Sequence, residues 1–356
     1  MSTLGAFTAD PKGRPRSAAE IVTASGTRIY LMPVETFPGH VNNVYLIDHP
    51  DHPVLFDVGT LSGHDELQSR FREVQDRFGV KTGLTDVREA VVSHAHVDHF
   101  GNAGTIRDLG ISIAIHELDA RVLAGFTERL ALASRDIGIF LRHAGLAPDA
   151  ARDLVDLYRT SKHFFHDLAP DRRLKNGDTI GPGFRVLHVP GHCPGMICLA
   201  VDDVVLTADH LLSRITPIQS PQAITPYMGL ENYLRSLEKL RDFGYFTLGL
   251  GAHEAPIRDV RGRIDASIAH HAERLRKVHG LCEERGLTIA DVAQALFGTT
   301  KSYAVLLALL EAGAHVEYLH ELGHLTIENV HDVADDPNVA ARYRATTDAP
   351  APVRRA

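Results

Sequence analysis

Four side chains able to bind a metal lie within six positions in His94-Ala-His96-Val-Asp98-His99. Imidazole and carboxylate together suit zinc, iron or manganese. The segment follows the apolar run Val87–Ser93, which reads as a buried strand ending at His94. His94 and His96 alternate, so an extended backbone points both rings to one side. Asp98 and His99 follow where the chain turns toward a helix near Gly101, and adjacent residues there diverge. They can therefore serve a different ion from the histidine pair. The plain alternative is a solvated histidine-rich loop, and the strand that precedes it weighs against that.

Three more donors stand at the ends of apolar runs. Pro190-Gly191-His192-Cys193-Pro194-Gly195 puts a histidine in a tight turn between strands. Thr207-Ala208-Asp209 puts a carboxylate after a strand, and Gly251-Ala252-His253 puts a histidine after another. A lone histidine after a strand is usually a solvated or capping residue; several such features in one chain argue for a shared site. Two nearby cations lower the pKa of a shared water enough to supply hydroxide near neutral pH. Asp98 is placed to orient that hydroxide and take up its proton.

The elements that must hold these residues are short. Strand-type runs occur at Arg28–Met32, Asn43–Ile47, Pro53–Phe56, Ile111–Ile115, Phe184–Val189, Met196–Val201, Val204–Thr207 and Phe246–Leu250. The run ending at Phe56 stops in Asp57-Val-Gly-Thr, a turn. Helical spacing marks Ser62–Phe78, Gly101–Leu109 and Gly229–Phe243. Strands alternating with helices predict an α/β layered fold. Residues 118–166 lose strand character and read as a helical insertion, a candidate lid because long inserts in compact domains are often functional, with structural decoration or a dimer contact as the plain reading.

After His253 the pattern becomes helical: Asp265–Arg285, a helix capped by Thr288 with Asp291 three residues on, Tyr303–Glu311, and a short helix His315–Leu322 ended by Gly323. With Leu325-Thr-Ile this predicts a winged-helix-like module over 263–335. Residues 1–25 read as a flexible arm, 26–262 as the main domain, and 336–356 as a disordered tail.

The 356 residues suit one large domain with a smaller one, and 44% hydrophobic content permits a sizeable core. A net charge of -8 disfavours a polyanionic partner. Three irregularly spaced cysteines fit a reducing compartment rather than a disulfide framework. With no apolar leader or long apolar span in view, the expectation is a cytoplasmic protein with no membrane partner.

The order His-x-His-x-Asp-His, Pro-Gly-His, Asp, Gly-x-His resembles the metallo-β-lactamase superfamily, nearest its glyoxalase-II-like branch, over roughly 29–257. The resemblance implies an αββα sandwich with two divalent ions at one edge, zinc being favoured over iron or manganese. It implies that His94, His96 and His192 hold one ion, that Asp98, His99 and His253 hold the other, and that Asp209 bridges them. Asp57 matches an acid that supports the metal loop. His210, beside Asp209, is read as a supporting residue, with a substrate contact as its alternative. Asp209 stands where β-lactamases of this fold carry cysteine or serine, and Glu254 follows His253 where many relatives have glycine.

The function expected is hydrolysis of an ester or thioester of a small organic molecule. Metal-dependent cleavage of single-stranded RNA is the alternative, suggested by the winged-helix-like module of β-lactamase-like endoribonucleases. Oxidation at a single iron, as in persulfide dioxygenases of this fold, is disfavoured by the seven-residue donor set. Phe164, Phe165 and Tyr227 are candidate pocket residues, with core packing as the plain reading. A homodimer is the family-based expectation for assembly.

Overall fold

In the computed structural model, residues 1–336 and 338–347 are described. The first compact unit comprises Met1–Phe126, Phe165–Pro217 and Lys239–Ile264. It carries two sheets. The larger runs in chain order through β1 (Thr3–Leu4), β2 (Ala19–Val22), β3 (Arg28–Phe37), β4 (His40–Asp48), β5 (Val54–Phe56), β6 (Glu89–Val92), β7 (Ser112–His116) and β8 (Arg172–Leu174). Pairing is antiparallel as far as β5 and parallel from β5 to β8. The change follows from the connections, since parallel neighbours need a crossover. Helix α1 (His64–Phe78) leads from β5 to β6; α2 (Val97–Phe100) and α3 (Ala103–Asp108) lead from β6 to β7; α4 (Glu117–Ala124) follows β7. Every residue of β5 and β6 is buried, as expected for parallel strands covered on both faces.

The second sheet has the order β13-β12-β11-β10-β9, with β9 (Thr179–Ile180), β10 (Phe184–His188), β11 (Ile197–Val201), β12 (Val204–Ala208) and β13 (Leu248–Gly251). Only β12 and β13 pair in parallel. Buried polar contacts hold the end of β13 against β4. Asn43 donates its amide to Gly251 O (3.0 Å) and Glu254 O (2.8 Å), and Tyr45 donates to Gly251 O (2.6 Å). These bonds satisfy carbonyls that burial would otherwise leave costly.

The expected flexible arm is not what the structure shows. The N-terminal residues are paired into the large sheet, Thr3–Leu4 on Ile21–Val22 and Ala19–Val22 on Arg28–Leu31. The alternation in Ala19-Glu-Ile-Val is short, but the neighbouring edge of β3 offers it a ladder.

The second unit comprises Thr127–Phe164, Ile218–Glu238 and the chain from Asp265 onward. It is helical, with α5 (Phe126–His143), α6 (Pro148–Thr160), α7 (Leu230–Phe243), α8 (Val260–Leu281), α9 (Ile289–Phe297), α10 (Tyr303–Glu321) and α11 (Val330–Asp335). Helix α9 opens with the expected capping box, Thr288 and Asp291 each serving the other's backbone N–H. The two helices expected over 303–322 are one. Gly313 lies inside it because a Cβ there would stand 2.8 Å from Phe140 and 2.9 Å from Pro221. It is a close-approach glycine, not a helix stop. A two-stranded ladder of β14 (Leu325–Ile327) and β15 (Tyr343–Ala345) ends the described chain. Pairing thus extends into the segment expected to be a tail, whose residues 337 and 348–356 lie outside the described residues. No helix among the described residues is long and apolar enough to cross a membrane.

Candidate metal centre

The ends of β5, β6, β12 and β13, with the turn between β10 and β11, bring together the donors singled out from the sequence. His94, His96, His192 and Asp209 each offer an atom to one cluster, all within 4.8 Å of one another; His99, Asp209 and His253 form a second. His96 Nδ1 lies 2.9 Å from His94 Nε2 and 3.0 Å from His192 Nε2. Asp209 faces both clusters. Its Oδ2 is 3.8 Å from His94 Nε2, 3.5 Å from His99 Nε2 and 3.5 Å from His192 Nε2, and its Oδ1 is 3.0 Å from His253 Nε2. Asp98 Oδ2 lies 3.4 Å from His99 Nε2 and 3.7 Å from His253 Nε2. Donors about 2.0–2.2 Å from a shared ion stand roughly 3–4 Å apart, so these spacings fit divalent ions.

The rings are oriented from behind. Asp57 sits just past β5 at φ 62°, a left-handed conformation that a short polar side chain tolerates. Its amide still bonds Val91 O, so it keeps its place beside β6 while its carboxylate turns to the ligand loop. That carboxylate accepts from Ser93 N (2.7 Å), Ser93 Oγ (3.0 Å) and His99 Nδ1 (2.8 Å). Because Ser93 Oγ donates to Asp57, it is left to accept from His94 Nδ1 at 2.9 Å. One buried carboxylate therefore sets the tautomer of a histidine in each cluster, leaving both Nε2 atoms as acceptors. His253 Nδ1 donates to Val41 O (3.2 Å) with the same effect. Such outer partners are what orient imidazole ligands.

Burial opposes ionisation of Asp98 and Asp209, yet the facing rings, above all His99 and His253, hold both carboxyls well below their ordinary range. Burial also opposes charge on His99, but Asp98, Asp57 and Asp209 raise it. His94 is pushed well below its ordinary value by burial and by the rings of His99 and His96. The pocket holds ionised carboxylates and accommodates positive charge among them, the electrostatic condition for binding a cation.

Sequence reading missed Asp119, His40 and Asn42 around these donors, and read Cys193 as a small buried filler. Asp119, fully buried, accepts from Ala95 N and Gly195 N, both at 2.8 Å, and so ties the His94–His96 loop to the His192 turn. Burial pushes its carboxyl up to about 6, against those two amides. Gly195 is required there, because a Cβ would stand 2.5 Å from Asp119 Cγ. Nothing in the local spacing marks Asp119, whose partners are distant backbone amides. Cys193 Sγ lies 3.4 Å from His96 Nε2, so it supports that ring from behind. His40 Nε2 and Asn42 Nδ2 both reach Asp98 Oδ2 at 3.2 Å.

The remaining candidates are placed elsewhere. His210 is fully buried, its amide bonded to Thr207 O in the turn after β12. Phe165 packs on Phe100 and Phe126 with centroids 5.9 and 6.0 Å away, and its ring fills the space a Cβ on Gly101 would need. It supports the helix carrying Asp98 and His99. Phe164 is 72% and Tyr227 52% exposed, and both belong to the second unit.

With this geometry in place, comparison with known proteins identifies the family. The model of the metallo-beta-lactamase superfamily matches residues 38–253, and the chain belongs to that superfamily. It is similar to the probable metallo-hydrolase YqjP of Bacillus subtilis, with 24% identity over 78% of this chain and 86% of that protein. It is 24% identical to the atrochrysone carboxyl ACP thioesterase of Claviceps purpurea, over 42% of this chain and 51% of the relative. A metallo-beta-lactamase family protein of Thermus thermophilus matches with a TM-score of 0.70 and 26% identity, over 89% of this chain and 98% of that one.

Proposed function

We propose that the protein is a dinuclear metal-dependent hydrolase that cleaves an ester or thioester of a small organic substrate. The observation that carries this reading is the position of Asp209. Its Oδ2 faces His94, His192 and His99 and its Oδ1 faces His253, so it lies within reach of both ligand sets, the place of a bridging carboxylate. His94, His96 and His192 would hold one ion and Asp98, His99 and His253 the other, with zinc favoured by the nitrogen-rich set and iron or manganese as alternatives. When bound, such a pair activates water near neutral pH and polarises the scissile carbonyl.

The chain's own residues do the rest. Asp98, held in place by Asn42, orients the attacking water and takes its proton. Asp57, through His99 directly and through Ser93 to His94, keeps two imidazoles in the ligating tautomer. Asp119 keeps the His94–His96 loop and the His192 turn in register. The likeness to a fungal acyl-carrier thioesterase supports the thioester class, and the acidic net charge supports a small substrate over a nucleic acid.

Cleavage of single-stranded RNA is retained as the second reading. In its favour, α9 and α10 are followed by the β14–β15 ladder, which is the element content of a winged helix. The test is an assay of zinc- or manganese-loaded protein on acyl thioesters, aryl esters and single-stranded RNA, each with a chelator-treated control. Chelator-sensitive thioester or ester turnover is expected. Turnover of RNA alone would overturn the small-substrate reading, and no turnover in any metal form would overturn both.

A further inference from the structure

The seven donors do not account for every ligating atom at the second cluster. His40 Nε2, Asp98 Oδ2 and His253 Nε2 also lie within 4.8 Å of one another. His40 Nε2 is 3.2 Å and His253 Nε2 3.7 Å from Asp98 Oδ2, and the His40 and His253 rings lie 4.6 Å apart. The two nitrogen-to-oxygen distances are again separations of donors around one ion. We propose that His40 is a ligand of the second ion, a donor supplied by the β3–β4 hairpin beside Asp98 and His253. This rests on the dinuclear reading above.

The hairpin is built to hold that ring. Phe37-Pro38-Gly39-His40 turns with Gly39 at φ 76°, the positive φ that a type II turn requires after proline. Gly39 N donates to Glu35 Oε1 (2.6 Å), and Thr36 Oγ1 donates to His40 O (3.2 Å). His40 and Asn42 are two apart on β4, so their side chains share a face, and both converge on the same oxygen of Asp98. Asn42 is buried and can only donate to that carboxylate. His40 stands at the mouth with its side chain 46% exposed. Ligation there strips little water from the ring, and the group can leave when a substrate atom takes its place. The opposing reading is that His40 Nε2–H merely donates a hydrogen bond to Asp98.

The experiment separates the two. Apoprotein is titrated with Co(II), following uptake by visible absorption and counting histidine rings by their paramagnetically shifted proton signals. It is run on wild type, His40→Ala and His40→Gln, the last keeping a donor near the Nε2 position. Circular dichroism checks that each variant is folded. Wild type is expected to take two ions. Both variants should bind the first ion as before, bind the second on the order of 10–100-fold more weakly, and lose the shifted signals of one ring. An unchanged ring count in His40→Ala, or His40→Gln behaving as wild type, overturns the assignment while leaving the dinuclear reading intact. A wild type that binds only one ion overturns both.

Discussion

Among the described residues, histidine and carboxylate are buried together in both units, and the two networks are arranged differently. In the first unit, His94, His99 and His253 spend their Nδ1 protons on Ser93, Asp57 and Val41, which leaves nitrogen acceptors pointing inward at Asp98 and Asp209. In the second unit, His271, Glu311 and His315 also lie within ligating reach of one another. There the groups satisfy each other. His315 Nδ1 donates to Glu311 O (2.7 Å), so its Nε2 accepts from His271 Nδ1 at 3.1 Å. The Glu311 carboxylate accepts from Arg274 and from Gln219 N. A guanidinium already supplies the positive charge that a metal would bring. Ligand identity and proximity are thus insufficient; what distinguishes a centre is whether the outer hydrogen bonds leave lone pairs converging on a shared point.

The sharpest way to break the comparison is through Asp98. Asp98→Ala should lower kcat/KM on the order of 10²–10⁴-fold, the range of a lost general base, in the metal-loaded protein. Steady-state kinetics on the best ester or thioester measures it. A loss below tenfold would remove Asp98 from the chemistry.

In the second unit the corresponding change should affect stability alone. Glu311→Ala leaves Arg274 without its carboxylate and Gln219 N without its acceptor. Breaking a buried pair by deleting one partner costs about 3–5 kcal/mol. Denaturant unfolding should show that loss, while metal analysis of the folded protein shows unchanged content. A fall in bound metal would turn this network into a second centre and defeat the contrast drawn above.

A subtler change tests the outer shell itself. Asp57→Asn keeps a residue that tolerates positive φ, but an amide cannot accept from Ser93 N, Ser93 Oγ and His99 Nδ1 together. Metal affinity should weaken on the order of 10–100-fold, read by competition with a chromophoric chelator. Unchanged affinity would mean that the tautomers are set without Asp57.

The seven proposed ligands could be read from the chain because each stands at a strand end or in a short motif, where local spacing carries the signal. Asp57 was legible only through the resemblance of its Phe-Asp-Val-Gly-Thr motif to the family's. Asp119 was not, since its function lies in accepting from Ala95 N and Gly195 N, contacts that only the tertiary fold creates. His40 left one clue, a histidine two residues before Asn42 at the start of a strand after Pro-Gly, but a lone turn histidine is ordinarily solvated. The unbroken length of α10 was not legible because the close approach of Phe140 and Pro221 to Gly313 is a tertiary contact. The early strands were missed because pairing with β3, rather than their own pattern, makes them strands.

The smallest expected effect is a pH dependence of the His271–Glu311–His315 network. Burial lowers the pKa of His315, with Arg274 and His270 adding to it and Glu311 opposing; His271 and the Glu311 carbonyl occupy its ring nitrogens. In the unfolded chain the same histidine titrates near 6.5. Between the depressed folded value and 6.5 the unfolded state holds more protons, so stability rises with pH across that window. The stabilisation is present above about pH 6.5 and is lost as pH falls toward the folded pKa. For one group the slope reaches at most about 1.4 kcal/mol per pH unit. Denaturant unfolding of metal-loaded wild type and His315→Gln between pH 8 and pH 5, at fixed free metal, isolates the contribution. The wild type should lose stability below about pH 6.5, and His315→Gln should lose less over the same range. Parallel curves would place the acid sensitivity elsewhere and leave the His271–Glu311–His315 network as packing without a titrating member.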